Sequence, residues 1–455
     1  MLNFSVVRWR MEPRNLSKKF LGGAPVKVFV VFCFAAVALV AQDTSSDSSN
    51  DYGTRRVTAA SEFFDHDFVN IFAFANGIWD SRVPILTTNQ SGYGSGFGWE
   101  AGGGISLSHQ FRDGGVTLSY QGSYRDYPSS TFHGGTQQSL ALAYSKRLSK
   151  RWTFGASVSG GILSYGSSYY GASALGTSIS TNPFSSESRF LSAGVSLTYA
   201  QSRRLSYVFS GAYFLSNYSY AGSFSSYGGS GSAAVYYRLT ARTTIGGSYT
   251  HSYYTYSHGA GTANIDNGSL TLSHRFPDHW QLDLSAGVSR VHSQGVISEL
   301  VSVIFDGETV TGYEVGAYNR TIYSPSFGAF LTRMYRRSSL AIGGGQSVAA
   351  GNGTFLASRS QFGSAIYSIS TPHRSSLGFG VSYIRLSSLA NSVSQSYTTF
   401  GASVSYGINL MRYLSANARY DYLHYGGLFG FGSLNESRIS VGLSLSSKSV
   451  PLTLF

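Results

Sequence analysis

Residue types that often carry catalysis or metal binding are dispersed along this chain. Its ten histidines form neither a His-x-Glu nor an HExxH pattern, the spacings typical of zinc enzymes. The densest polar cluster, Asp65-His66-Asp67, suits a solvated linker better than a cation site. A glycine-rich stretch at 92–98 (GYGSGFG) precedes a strand pattern, whereas a phosphate loop needs a following helix. We therefore predict no enzymatic activity, no metal and no cofactor.

Seven charged side chains stand out because strand alternation would place them among small polar neighbours. They are Glu100, Arg125, Asp283, Arg419, Asp421, Glu436 and Arg438. If that face lines a channel, such charges could set the field that a solute meets. Alternatively, they only pair with one another, since Arg419 and Asp421 would lie on the strand next to Glu436 and Arg438. We favour pairing over a selective constriction.

The elements that must position these charges are strands with two unlike faces. Segments of about 10–14 residues alternate large apolar with small polar side chains. Val116, Leu118 and Tyr120, for example, are separated by Thr117 and Ser119. Similar segments recur from about residue 97 to about residue 446. The sequence therefore predicts an all-β protein.

Two kinds of connection separate the segments. The short, mostly charged ones begin at 112, 149, 202, 240, 277, 335, 371 and 411, so that a two-strand unit recurs at about 37 residues. The others are longer and rich in Gly, Ser, Tyr and Asn. Eight short turns, a final strand near 436–446 and a first strand within 67–80 give about 18 antiparallel strands. Sixteen is the alternative, because alternation within 67–80 is poor.

Composition narrows the class of protein. Only 12% of residues are charged, against about 25% in soluble domains. The chain also has 54 Gly, 33 Tyr and 30 Phe but 9 Pro. Disorder is excluded by the aromatic content, and glycine disfavours helices. The formal net charge is +12, but the basic residues are scattered, so we predict no nucleic-acid partner.

The N-terminal part has the organisation of an export signal. A basic segment precedes an apolar run from Val28 to Ala41, which is too short to span a bilayer as a helix. We predict a signal peptide over 1–41, a flexible polar segment over 42–66 and a β-domain over 67–455. Cys33 is the only cysteine and lies in the leader, so the mature chain would have neither disulfides nor thiolate chemistry.

Aromatic residues are expected where strands meet the edges of a bilayer. Many lie near predicted strand ends, and those we assign to two interfacial girdles are Trp152, Trp280, Tyr124, Tyr220, Tyr254 and Tyr422. The polar face is small and mostly uncharged, unlike that of a sheet facing water. In a bilayer every backbone polar group must be paired, so a spanning sheet has to close on itself. These features together predict a transmembrane up-and-down β-barrel.

The chain thus resembles Gram-negative outer-membrane β-barrel proteins, porin-like in size, over residues 67–455. Many such barrels end in an aromatic residue that the barrel-assembly machinery reads, and Phe455 occupies that position here, although Pro451 interrupts the usual alternation. The resemblance implies location in the outer membrane, contact with its lipid and assembly by that machinery. Oligomeric state does not follow from it.

Barrels of this size leave an aqueous lumen, so we expect a channel for passive diffusion of small hydrophilic solutes. The segment 293–322 would either fold inward as a constriction or project as an extra hairpin. One alternative is a structural or surface-interaction barrel without a transport role. A secreted soluble β-sheet protein is the third hypothesis.

Overall fold

The computed structural model describes eleven stretches of the chain: residues 68–87, 90–128, 135–164, 187–219, 224–305, 308–335, 337–349, 357–371, 374–389, 396–427 and 433–447. The predicted signal peptide (1–41) and polar segment (42–66) lie outside them. Within the described part, no helix is both long and apolar enough to cross a membrane.

Eighteen strands make up almost all of the described chain. In sequence order they are β1 (Phe68–Thr87), β2 (Gln90–Phe111), β3 (Gly114–Asp126), β4 (Gly135–Arg147), β5 (Trp152–Ser164), β6 (Glu187–Ala200), β7 (Leu205–Tyr218), β8 (Ser226–Arg238), β9 (Thr243–Tyr256), β10 (Gly261–Arg275), β11 (Trp280–Phe305), β12 (Glu308–Met334), β13 (Ser338–Ala349), β14 (Ser358–Ser370), β15 (Ser375–Ser388), β16 (Ser396–Asn409), β17 (Leu414–Gly426) and β18 (Leu434–Ser446).

Each strand pairs antiparallel with its neighbours in sequence, and β1 also pairs with β18. The sheet is therefore a closed up-and-down barrel without a free edge. Closure satisfies the backbone groups of every strand, which an open sheet cannot do in hydrocarbon. The prediction of 18 strands is confirmed, and the alternative of 16 is wrong because Phe68–Thr87 forms a complete first strand.

The period of two divides the side chains between an outer and an inner face. On β18 the outward residues Ile439, Val441, Leu443 and Leu445 are each 43–57% exposed, and the intervening side chains point into the lumen. Across the inner wall, serines of adjacent strands pair directly, as Ser415 and Ser444 do with 2.6 Å between their Oγ atoms. The barrel is thus apolar outside and largely polar inside.

Short connections lie at one end of the barrel, here called the turn side, and the opposite end is called the loop side. Several short turns are fixed in the same way, by a Ser or Thr that accepts hydrogen bonds from the backbone N–H groups two and three residues later. Ser149, Ser202 and Thr240 each do this at 3.0–3.2 Å. Such side-chain-to-backbone bonds favour turns over continued strands.

Two hairpins extend beyond their neighbours at the loop side. β11 and β12 remain paired up to Phe305 and Glu308, whereas β12 pairs with β13 only from Phe327 onward. Pro325, which has no N–H to donate, lies just beyond the last of those pairs. The segment 293–322 is therefore a projecting continuation of the β11–β12 hairpin, as one of the two sequence-based alternatives predicted. The β1–β2 hairpin is extended similarly.

The inner face also contains aromatic rings, which the sequence analysis assigned almost wholly to the outside. Phe72 and Phe74 of β1 point inward and lie over Gly104 and Gly102 of β2, directly opposite in register. A Cβ atom at Gly104 would lie 2.7 Å from Phe72 Cζ, so only glycine leaves room for the ring. This packing explains the poor alternation of residues 67–80: β1 is apolar on both faces.

Candidate functional site

The candidate site is a group of charged side chains on the inner wall, near its loop side. It spans five consecutive strands, β17, β18, β1, β2 and β3, and so covers the join between the first and last strands. We call it the seam cluster. Its members are Arg419 and Asp421 on β17, Glu436 and Arg438 on β18, Asp80 on β1, Glu100 on β2, and Arg125 with the adjacent Tyr127 on β3 and just after it.

Arg438 is the centre of the seam cluster. Its Nη2 atom lies 2.8 Å from Asp80 Oδ2 and 3.0 Å from Glu436 Oε1, and its Nε donates to the same Asp80 oxygen at 3.0 Å. The Tyr127 hydroxyl donates to Asp80 at 3.2 Å. All four side chains are buried. Because buried charges need partners, this arrangement holds β18, β1 and β3 together while keeping both signs of charge at the wall.

A second pair lies on β2 and β3. Arg125 Nη2 is 3.2 Å from Glu100 Oε2, and Ser123 Oγ donates to Glu100 Oε1 at 2.9 Å. Arg125 Nε and Nη1 are buried and have no hydrogen-bond partner among the described residues. A buried guanidinium with two unused donors is costly unless an acceptor reaches it. Arg125 is therefore the member of the cluster best prepared to hydrogen-bond a solute.

The third pair is on β17. Arg419 Nε donates to both Asp421 oxygens at 2.9 Å. The Asp421 side chain is almost fully buried, whereas the Arg419 side chain is 38% exposed. By alternation with the outward Tyr420, Arg419 points into the lumen. Its exposure therefore shows that the lumen beside it is open to solvent.

Six of the seven charged residues singled out from the sequence thus lie in the seam cluster. Asp283 does not. It points inward from β11 near the turn side, where Gln281 Nε2 donates to it at 2.9 Å. The expected pairing also differs in detail, because Arg438 binds Asp80 of β1 rather than a residue of β17. Sequence reasoning missed Asp80 and Tyr127, although Asp80 ends the segment proposed as the first strand.

The inner wall opposite the seam cluster is apolar at the loop side. Tyr256, Ala263, Ile265 and Val291 of β9, β10 and β11 form a buried group there. Tyr254, Tyr318 and Ile322 pack against it. A solute entering from the loop side would therefore have charged groups on one wall and aromatic and aliphatic groups on the other.

Four of the predicted girdle residues face outward. At the loop side Tyr124 contacts Trp99 with ring centroids 5.5 Å apart, and Tyr422 donates to Asn435 Oδ1 at 3.1 Å. At the turn side Trp152 contacts Tyr199 with centroids 4.6 Å apart, and the Arg333 guanidinium lies over the Trp280 ring at 4.7 Å. These positions match the two interfacial levels of a spanning barrel.

The assignment of Tyr254 to an outer girdle is wrong. Tyr249 and Tyr253 of β9 are exposed on the outside, so Tyr254 has the opposite parity and points inward. Its ring contacts Phe214, with centroids 5.7 Å apart, above Gly228. The run of Tyr253 and Tyr254 hid this difference in the sequence. Tyr220 and Phe455 lie outside the described residues.

Within the described part of the chain, no group of three or more His, Cys, Asp and Glu side chains is arranged to hold a metal ion. The seam cluster binds its carboxylates to guanidinium groups and a phenol instead.

No protein-family model and no curated protein sequence matches the chain. Three similar solved structures are outer-membrane channels or their relatives by name. OccK2 (OpdF) of Pseudomonas aeruginosa, in complex with glucuronate, has 13% identity, covers 84% of this chain and 98% of its own, and has a TM-score of 0.42. For OccAB4 of Acinetobacter baumannii the values are 11%, 84%, 99% and 0.41. A BenF-like porin from Pseudomonas fluorescens Pf-5 gives 12%, 85%, 100% and 0.41. This similarity is too low to assign a substrate or an activity to the chain.

Proposed function

We propose that the protein is an outer-membrane channel for passive diffusion of small hydrophilic solutes. The observation that carries this proposal is the solvent-exposed, inward-facing Arg419 inside a closed barrel of 18 strands. Barrels with 16–18 strands enclose an aqueous channel, whereas eight strands enclose only packed side chains. Small inner residues such as Ser440 and Gly442 occupy little of that space.

Placement in a membrane follows from the outer surface. Leu270 is 72% exposed, Val441 57% and Phe327 53%, and each belongs to a continuous apolar band. So much exposed apolar surface is unfavourable in water but favourable in hydrocarbon. We propose that residues 1–41 direct export and that the barrel-assembly machinery inserts the mature chain, with Phe455 as a recognition element. The long connections would then face the exterior, as in other barrels of this kind.

A solute in the lumen would meet weak contacts rather than a closed binding site. Arg125 offers two unused donors, and Arg419 is accessible beside Asp421. The opposite apolar wall can contact a carbon skeleton. Sites that bind moderately, and in sequence, permit entry without trapping the solute. The seam cluster thus combines a structural role at the barrel join with a field inside the channel.

Reconstitution into planar bilayers tests the proposal. The purified chain should give discrete, long-lived conductance steps in salt solution, because a water-filled lumen crosses the membrane. A protein that inserts, shows the heat-dependent gel mobility of a folded barrel and yet never conducts would contradict the channel. That outcome would support a structural or surface-interaction barrel instead.

A further inference from the structure

Two arginines face away from the lumen on neighbouring strands at the loop side. Arg359 of β14 and Arg385 of β15 share the outward parity of Tyr367 and Tyr383, which are exposed on the same strands. In register, Arg359 lies opposite Ser387 and Arg385 lies opposite Gln361, so the two arginines are diagonal neighbours. Their Cα atoms are therefore about 7–8 Å apart, within reach of two long side chains.

The two positive charges are held near each other rather than apart. Arg359 Nε donates to Ser387 Oγ at 3.3 Å, which draws its guanidinium towards the strand that carries Arg385. No carboxylate among the described residues pairs with either arginine. By contrast, the outward Arg189 on β6 binds Glu187 at 2.6 Å. Like charges on adjacent strands destabilise a sheet, so the pair needs an anion between its guanidinium groups.

The height of the pair on the outer surface indicates where that anion comes from. Towards the turn side, the outward residues of β15 are apolar or aromatic: Leu377, Phe379, Val381 and Tyr383. Beyond Tyr383 they become polar, beginning with Arg385. Aromatic residues of barrels mark the boundary between hydrocarbon and headgroups. The arginine pair therefore lies at headgroup level, just outside the hydrocarbon.

We propose that Arg359 and Arg385 form a binding site for the phosphate of a lipid headgroup in the loop-side leaflet. Guanidinium groups bind phosphate oxygens in bidentate geometry, and basic groups at a membrane surface bind anionic headgroups. Ser387 adds a hydroxyl beside the Arg359 guanidinium. The site rests on the proposed membrane placement of the barrel but does not require that the lumen conducts.

Lipid selectivity in reconstituted bilayers tests this site. The chain is inserted into phosphatidylcholine vesicles with a trace of spin-labelled phosphatidic acid or spin-labelled phosphatidylcholine, and the motionally restricted fraction is measured. The wild type should prefer phosphatidic acid. Each of Arg359→Gln and Arg385→Gln should lower that preference, by up to about five-fold per arginine, and the double variant should remove most of it. Arg189→Gln is the matched control, since Arg189 already has a partner, and should retain the preference.

Two results would overturn the site. One is equal selectivity in the wild type and the double variant, with both showing the heat-dependent mobility of a folded barrel. The other is binding of inorganic phosphate to the detergent-solubilised wild type as tightly as phosphatidic acid, which would indicate a site for soluble anions. Conductance separates this inference from the channel proposal: the double variant should conduct like the wild type, because both side chains point away from the lumen.

Discussion

Arg438 and Asp80 are 358 residues apart in sequence and directly opposite each other across the join between β18 and β1. Their side chains are 5% and 3% exposed, and Arg438 donates two hydrogen bonds to one Asp80 oxygen. The last and first strands of the barrel are thus connected by a buried ion pair as well as by backbone hydrogen bonds. Glu436 and Tyr127 complete the surroundings of the two charges.

Asp80→Ala should destabilise the barrel by about 3–5 kcal/mol, because it removes one partner of a buried pair and leaves Arg438 with Glu436 alone. Denaturant unfolding of the detergent-solubilised protein, followed by tryptophan fluorescence, measures the change. Glu187→Ala is the control, since its pair with Arg189 is exposed and should contribute less than about 1 kcal/mol. Equal losses in the two variants would show that the Arg438–Asp80 pair does not stabilise closure.

Arg419→Gln should shift the ion selectivity of the channel towards cations. An ion passing within about 4 Å of this accessible charge in a water-filled lumen experiences about 1 kcal/mol, so the permeability ratio should change by a few-fold at low salt. Reversal potentials under a salt gradient measure it. Arg385→Gln removes an outward charge and should leave the ratio unchanged. If both variants behave alike, Arg419 does not line the conducting path.

Gly343→Val should destabilise the barrel by about 1–3 kcal/mol through overpacking. Gly343 points inward beneath the ring of Phe330, which in turn stacks on Phe362 with centroids 6.0 Å apart. Gly363→Val on the next strand is the control, because a Cβ atom there would meet nothing within 4 Å. Unfolding midpoints of the two variants decide the matter. Equal midpoints would mean that Phe330 moves aside without cost.

The number and direction of the strands follow from the sequence because each strand has its own turn signal and its own alternation. Ser149, Ser202 and Thr240 both mark short turns in the sequence and form them in the structure. The exposed outer face is likewise predictable, since hydrocarbon demands large apolar residues at every second position. Six of the seven charges assigned to the inner wall come together for the same reason: parity alone determines their face.

What the sequence could not reveal depends on contacts between strands. Phe72 and Phe74 look like outer residues until their register with Gly104 and Gly102 is known. Tyr254 looks like its neighbour Tyr253 until the phase of β9 is fixed by the exposed Ile245 and Tyr249. The partner of Arg438 is on β1 because the barrel closes there, and closure is a property of the whole sheet rather than of one segment.

Cysteine accessibility in membranes tests the two-faced barrel most directly. Single cysteines replace Ser382 and Ser440, which point inward, and the adjacent Val381 and Val441, which point outward. A charged, membrane-impermeant thiol reagent should modify the Ser382→Cys and Ser440→Cys variants through the lumen. It should fail to reach the two valine positions until the membrane is dissolved and the chain unfolded. Equal labelling of serine and valine positions, or no labelling at either, would contradict a water-filled barrel in a bilayer.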